Sequence, residues 1–312
     1  MSGLDTTPVV SALRAGIDIG GTKTDAVAID HDGNVRQRLR LPTGFGPGEV
    51  LETAISAVTQ LAELAGTTID GFESLGIGIP GAVDNDTGYV AHAVNLGLSG
   101  LNLGSELSAR LGRAVRVDND VNAAALGAFQ LLEKAPGHSM AYLNLGTGLA
   151  AGIVLGGSLW RGSRGTAGEI GHIPVDPNGL QCPCGQRGCL EMVASGSAIA
   201  RQWPTDDPMP ARALFAAATS GDANAIEIRQ RFVENVAAAV RILVLTVDVD
   251  SVVIGGGLSS LGPVLLDGVR DVLASWERAS PFLASTGLSS RVAIVPVDFP
   301  AAAVGAALVG VG

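Results

Sequence analysis

Two stretches of this chain can be laid over one another. Residues 14–29, RAGIDIGGTKTDAVAI, and 141–157, AYLNLGTGLAAGIVLGG, each read as an apolar strand, a polar residue, a turn containing Gly and Thr, and a second apolar strand. Asp18 then falls on Asn144 and Gly20 on Gly146. Short apolar runs joined by a glycine turn predict hairpins, so the pattern predicts an internal duplication whose halves each open on a hairpin. Strand and helix patterns alternate after each one. The first half carries helix-spaced apolar residues over 50–64, a strand at 75–79 running into Pro80-Gly81, a helix at 103–111, a strand at 115–117 and an Ala-rich helix from Asn122 to Leu131. The second carries a long helix from about Ala225 to Val244, a strand at 251–254 ending in Gly255-Gly256-Gly257, another helix, a strand at 292–295 and a terminal helix from Ala301. This alternation predicts an α/β fold of two lobes with the site between them. The lobes are expected over 1–118 and 119–299, with the helix at about 300–312 able to return to the first. Residues 204–211, PTDDPMPA, read as a surface loop.

Composition excludes several classes. A hydrophobic fraction of 47% with only 4% aromatics suits parallel sheets covered by Ala-rich helices rather than a disordered chain. Lys+Arg 20 against Asp+Glu 30 gives a net charge of −10, a field that repels nucleic acid, and no local basic patch offsets it. The opening MSGLDTTPVVSALRAG lacks a basic start followed by an apolar stretch, and no uninterrupted apolar run reaches membrane-spanning length. A cytoplasmic protein with neither a nucleic-acid nor a membrane partner is expected. The three cysteines all fall between Cys182 and Cys189, an odd, tight cluster that points to a metal site rather than a disulfide framework.

The turn Asp18-Ile19-Gly20-Gly21-Thr22-Lys23-Thr24 sets glycine N–H groups, hydroxyls and one cation where they could close on an anion, which is the chemistry of a phosphate cradle. An ordinary hairpin turn would look similar. Two features favour the cradle: Asp18 stands directly before the turn, able to hold Mg²⁺ through water, and an equivalent turn recurs at Gly146-Thr147-Gly148. A third glycine run, Gly255-Gly256-Gly257, follows a strand where backbone could lie flat against a nucleotide. None is a Walker-type loop, because the Gly-Lys-Ser/Thr ending at a helix start is missing. Lys23 has two open readings, phosphate contact or solvated turn residue.

These pieces resemble the ROK family of sugar kinases and sugar-responsive repressors, within the actin-like ATPase superfamily. The resemblance runs from about Ala15 to the C-terminus. It rests on the first phosphate turn, on Asp118-Asn119-Asp120-Val121-Asn122-Ala123-Ala124-Ala125, on Leu145-Gly146-Thr147-Gly148, on Gly168-Glu169-Ile170-Gly171-His172, and on Cys182-Pro183-Cys184-Gly185-Gln186-Arg187-Gly188-Cys189-Leu190-Glu191. It implies two lobes, each built on an RNase-H-like sheet, closing over sugar and ATP, and commonly a homodimer or homotetramer. It also implies that Asp120 is the base beside the hydroxyl that is phosphorylated, a role the reaction needs because positioning and proton removal are most of what protein contributes to phosphoryl transfer. On residues alone Asp120 reads equally well as a helix N-cap. Asn119, Glu169, Glu191 and His172 are implied sugar ligands, and Asn95 is a weaker candidate with a competing reading as a turn residue.

His172 with Cys182, Cys184 and Cys189 supplies one nitrogen and three thiolates, the set that zinc takes in closed tetrahedral sites. With four protein ligands no position is left for an activated water, so the metal is expected to be structural, setting the loop that presents Glu191 and orienting His172. The expected activity is an ATP-dependent hexose kinase, with glucose leading because the Glu169 context resembles glucokinases. The segment Cys189–Gly196 departs from the aromatic-rich form of typical glucokinases, which keeps N-acetylmannosamine, N-acetylglucosamine, mannose and fructose as alternatives. Polyphosphate is an alternative donor. A sugar-sensing regulator is the rival from another class. Repressors of this family place a helix-turn-helix before the first phosphate region, and about fifteen residues precede Gly16 here.

Overall fold

β1 (Leu13–Ile19) and β2 (Lys23–Ile29) pair antiparallel, with Arg14 opposite Ile29 and Ile19 opposite Thr24, so the first hairpin forms where the apolar runs predict it. The computed structural model describes residues 12–132 and 137–311. Residues 1–11, over which the absence of a leader was read, lie outside the described residues.

β3 (Val35–Pro42) adds to the outer side of β2, an element the sequence reading does not assign. Its alternation is that of an edge strand. Leu39 and Leu41 pack against the core while Arg36, Arg38 and Arg40 take the other face, where charge blunts the exposed edge. α1 (Pro47–Leu64) starts with Pro at its first turn and buries Val50, Leu51, Ala54, Ala57, Val58, Leu61 and Ala62, one stripe at helical spacing. β4 (Phe72–Ile79) runs parallel to β1, the short hairpin β5 (Ala82–Asp84) and β6 (Tyr89–Ala91) follows, and then come α2 (Leu103–Leu111), β7 (Val115–Asn119) and α3 (Asp120–Leu131). The sheet order is β3-β2-β1-β4-β7.

The second half repeats the scheme. β8 (Met140–Leu145) and β9 (Leu149–Leu155) form the second hairpin, and β10 (Ser158–Leu159) extends it. After α4 (Gly196–Gln202), α5 (Pro210–Thr219) and α6 (Ala223–Val247), β11 (Ser251–Gly255) runs parallel to β8. α7 (Pro263–Ala279), α8 (Pro281–Thr286) and β12 (Val292–Ile294) follow. The order β10-β9-β8-β11-β12 matches the first sheet position for position, so the structure is an α/β fold of two lobes with two mixed five-stranded sheets. β11 is buried at every residue, as a central parallel strand should be. The segment 204–211 is only partly a loop. α5 begins at Pro210, whose missing N–H costs nothing in a first helical turn.

The chain closes with α9 (Ala301–Val309). The described residues up to Leu131, together with those from Ala302 onward, form one compact unit, and Leu132–Ala301 form the other. α9 lies backbone-close on the first sheet because two strand positions lack side chains. A Cβ on Gly16 would stand 2.0 Å from the Ala303 carbonyl oxygen, and one on Gly76 would stand 1.9 Å from that of Ala306. Among the described residues no helix is long and apolar enough to cross a membrane.

Candidate functional site

In the first unit a single row of paired residues crosses the sheet. Asp18 on β1 faces Asp25 on β2 and Gly78 on β4, Asp25 faces Arg40 on β3, and Gly78 faces Asp118 on β7. Asp25 is held by Arg38 at 3.2 Å and Arg40 at 2.9 Å. A Cβ on Gly78 would lie a tight 3.2 Å from that of Ala123 and at ordinary contact distance, 3.5 Å and 3.8 Å, from Cα of Asp120 and Oδ1 of Asp18, so β4 packs closely under the start of α3 beside the Asp18 carboxyl. Burial, then the charge of Asp120, then that of Asp25 push the Asp18 carboxyl well above the usual carboxylate range. Carboxylates gathered this way are the setting that a divalent cation relieves, and the donor set fits Mg²⁺.

The two readings of Asp120 separate here. Asn119 carries the cap of α3: its Oδ1 accepts from the backbone N–H of Val121 at 2.9 Å and of Asn122 at 3.3 Å, while its Nδ2 donates to the Gly81 carbonyl at 3.1 Å. Asp118 is buried and accepts from the Asn119 N–H and the Asn122 amide. Asp120, half-buried at the first position of α3, also accepts from the Val121 N–H, at 2.9 Å.

The first glycine turn closes by the Gly20 N–H donating to the Lys23 carbonyl at 2.9 Å. Gly21, Thr22 and Lys23 are exposed, whereas Thr24 is buried with its hydroxyl paired to that of Thr43 at 2.8 Å. Asn95 is exposed and borders the turn; a Cβ on Gly21 would stand 3.3 Å from that of Asn95.

In the second unit Gly146 N–H donates to Gly148 carbonyl at 3.1 Å, which leaves Thr147 exposed at the tip. The Gly255-Gly256-Gly257 turn is moulded on β8. The Tyr142 hydroxyl accepts the Gly256 N–H at 3.0 Å, and a Cβ on Gly255 would fall 2.1 Å from that oxygen. Gly256 has a φ of 78°, and a Cβ there would lie 2.5 Å from Oδ1 of Asn144, so glycine is required twice over. Glu191 is half-buried and its Oε2 accepts the Leu149 N–H at 2.9 Å, while Glu169 is exposed just before the short 3₁₀ turn Ile170–His172.

His172, Cys182, Cys184 and Cys189 come together with their ligand atoms all within 4.8 Å of one another. Cys184 and Cys189 sulfurs are 3.7 Å apart, far beyond a disulfide and close to the edge of about 3.8 Å that a tetrahedron with zinc–sulfur bonds of about 2.3 Å would have. His172 turns Nδ1 toward Cys182 Sγ at 3.9 Å, so its Nε2 is the nitrogen left for another partner. Hydrogen bonding from the Gln186 backbone, chiefly, draws the Cys184 thiol down to about 7, while burial and the neighbouring thiols push Cys189 up to about 12. Three sulfurs cannot all ionise in this space without a cation, so the donors fit zinc. The hairpin folds back through Gly188, whose φ is 74° and whose Cβ would lie 1.6 Å from the Asp176 carbonyl oxygen.

The structure thus groups Asp18, Asp120, Asn119, Asn95 and the first turn in one unit, and the second and third turns, Glu169, Glu191 and the His/Cys cluster in the other. The sequence reading passes over two residues of these surroundings. Gly78 was signalled by the two glycines within one short strand, Gly76 and Gly78. The Tyr142 hydroxyl, two residues before Asn144, carries no such signal.

Comparison with known proteins bears on family and fold. The model of the ROK family matches residues 14–295. A glucokinase of Halalkalibacterium halodurans is 32% identical over 302 residues, covering 91% of this chain and 91% of the relative. An N-acetyl-D-glucosamine kinase of Citrobacter koseri is 37% identical over 257 residues, covering 78% of this chain and 84% of the relative. The crystal structure of a ROK family glucokinase from Streptomyces griseus in complex with glucose and AMPPNP superposes with a TM-score of 0.79 at 30% identity, covering 96% of this chain and 99% of that one.

Proposed function

The chain belongs to the ROK family, and on that premise we propose that it is an ATP-dependent hexose kinase that transfers the γ-phosphoryl group of ATP to glucose, forming glucose 6-phosphate. The observation that carries this reading is the place of Asp120. Asn119 caps α3, so Asp120 is not needed for that purpose, and it stands near enough to Asp18 for its charge to raise that carboxyl. In this role Asp120 takes the proton of the sugar hydroxyl as that oxygen attacks phosphorus. Asp18 and the accessible part of the first turn, Gly20 to Lys23, face the phosphates, whereas Thr24 is buried against Thr43. Magnesium, when bound, neutralises phosphate charge, and Asp18 is the carboxylate that would hold it.

Glu169, Glu191, Asn95, Asn119 and the Nε2 of His172 hold sugar hydroxyls. Carboxylates suit this work because an epimer that fails to donate leaves a desolvated acceptor unpaired. Gly146 to Gly148 and Gly255 to Gly257 receive the nucleotide. Zinc on His172, Cys182, Cys184 and Cys189 is structural, since four protein ligands fill its tetrahedron. The 37% identity to an N-acetyl-D-glucosamine kinase supports a second substrate reading, an N-acetylhexosamine.

The substitution Asp120→Asn tests the assignment. Calorimetry should show glucose bound within a few-fold of wild type, while turnover falls by about 10³-fold, since the base is removed and the shape kept. Near-normal turnover in this variant contradicts the assignment.

A further inference from the structure

Glu191 stands where three pieces of the second unit meet. Its Oε2 accepts the N–H of Leu149, the residue that follows the Gly146-Thr147-Gly148 turn and opens β9. Gly148 leaves room for that oxygen, since a Cβ there would lie 2.4 Å from it. A few residues further along, the Gly196 N–H donates to the Gly146 carbonyl at 2.8 Å and the Ser197 N–H to the Thr147 carbonyl at 3.2 Å. The buried Ser195 sets this approach, its Oγ accepting the Ala198 N–H at 3.2 Å. Cys189, one of the cluster sulfurs, begins the same segment. One short run of chain therefore leads from the cysteine cluster to the phosphate turn and grips it at Gly146, Thr147 and Leu149.

We propose that Glu191 is a positioning residue for the second phosphate turn, linking occupancy of the sugar site to the shape of the nucleotide site through one carboxylate. The inference rests on the sugar-kinase reading. One oxygen holds the Leu149 N–H, and the other accepts a sugar hydroxyl. A hydroxyl donated to the second oxygen fixes the carboxylate in the rotamer that holds the turn. The coupling is reciprocal: whatever factor glucose adds to nucleotide affinity, nucleotide adds to glucose affinity.

The test is calorimetric titration of AMPPNP into full-length, zinc-loaded protein, with and without saturating glucose. Wild type should bind AMPPNP several-fold tighter when glucose is present. Glu191→Ala should weaken AMPPNP binding about tenfold without glucose and abolish the effect of glucose. Glu191→Gln, whose side-chain carbonyl can still accept the Leu149 N–H, should keep AMPPNP affinity within about twofold of wild type. Glu191→Asp keeps the charge but lacks the reach, and should match the alanine variant even if that one folds poorly. AMPPNP affinity unchanged in Glu191→Ala or Glu191→Asp overturns the inference. Failure of the wild-type protein to bind AMPPNP at all overturns the kinase reading instead.

Discussion

The β1–β2 hairpin of the first unit and the β8–β9 hairpin of the second share a frame and differ in charge. Each occupies the same place in its sheet, and each first strand pairs in parallel with a strand that brings a glycine opposite the polar residue: Gly78 opposite Asp18, and Gly255 opposite Asn144. The turns are cut differently. Four residues, Gly20 to Lys23, separate the paired Ile19 and Thr24, whereas three, Gly146 to Gly148, separate Leu145 and Leu149. The first hairpin puts a carboxyl among carboxylates, where burial, Asp120 and Asp25 raise its proton affinity. The second puts a neutral amide against the glycine backbone, with Oδ1 of Asn144 2.5 Å from where a Cβ on Gly256 would lie. One scaffold used twice thus differs at the polar residue and its cross-strand partner, Asp18 with Asp25 against Asn144 with Ala150, which makes the first end the one that suits a cation.

Exchanging the two polar residues is the most direct way to break that comparison. Asp18→Asn should lower turnover by about 10²-fold or more, with no loss of thermal stability, since the replaced carboxyl faces other carboxylates. Asn144→Asp should act on the nucleotide instead, weakening AMPPNP binding about tenfold by placing like charge beside the Gly256 turn. Steady-state kinetics and calorimetry on the two variants separate these outcomes, and equal effects on the same parameter would abolish the distinction.

A smaller effect is expected from the cluster that only the second unit possesses among the described residues. Cys184→Ser should lower bound zinc, measured by elemental analysis, below about one ion per chain, and should lower the melting temperature by several degrees. A variant that keeps full zinc and full activity contradicts the zinc assignment.

The hairpins, the major helices and the His/Cys set were legible because each is local in sequence: apolar alternation around a glycine turn, an apolar stripe at helical spacing, cysteines a few residues apart. What escaped depends on partners distant in sequence. Gly78 acquires meaning only when parallel pairing sets β4 between β1 and β7. Asn119, rather than Asp120, turns out to be the cap, a choice that adjacent Asn and Asp residues leave open until backbone geometry is known. β3 was left unassigned because its alternating arginines offer no continuous apolar run, and their role is clear only once Arg38 and Arg40 are seen on Asp25. Thr24 reads as part of the phosphate turn, yet the strand alternation buries it against Thr43.

The smallest effect concerns the turn between β2 and β3. Burial alone would raise the Asp30 carboxyl, but the backbone N–H and amide of Asn34, together with Arg36, outweigh it and lower the group from its ordinary 3.8 to about 2. The folded value lies below the unfolded one, so this contribution to stability is complete above about pH 4 and fades as pH falls toward about 2. Asp30→Asn should therefore be modestly less stable than wild type at neutral pH, with the gap closing across that window in acid-unfolding curves. A gap that stays constant down to pH 2 would show that Asp30 has no such role.

The claim of hexose phosphorylation is tested most directly by ADP formation with the purified protein, ATP and magnesium, against glucose, mannose, fructose, N-acetylglucosamine and N-acetylmannosamine. The account predicts a marked preference for glucose, with glucose 6-phosphate as product. No turnover with any of these sugars, in protein that binds one of them by calorimetry, would contradict the kinase reading and favour a sugar sensor.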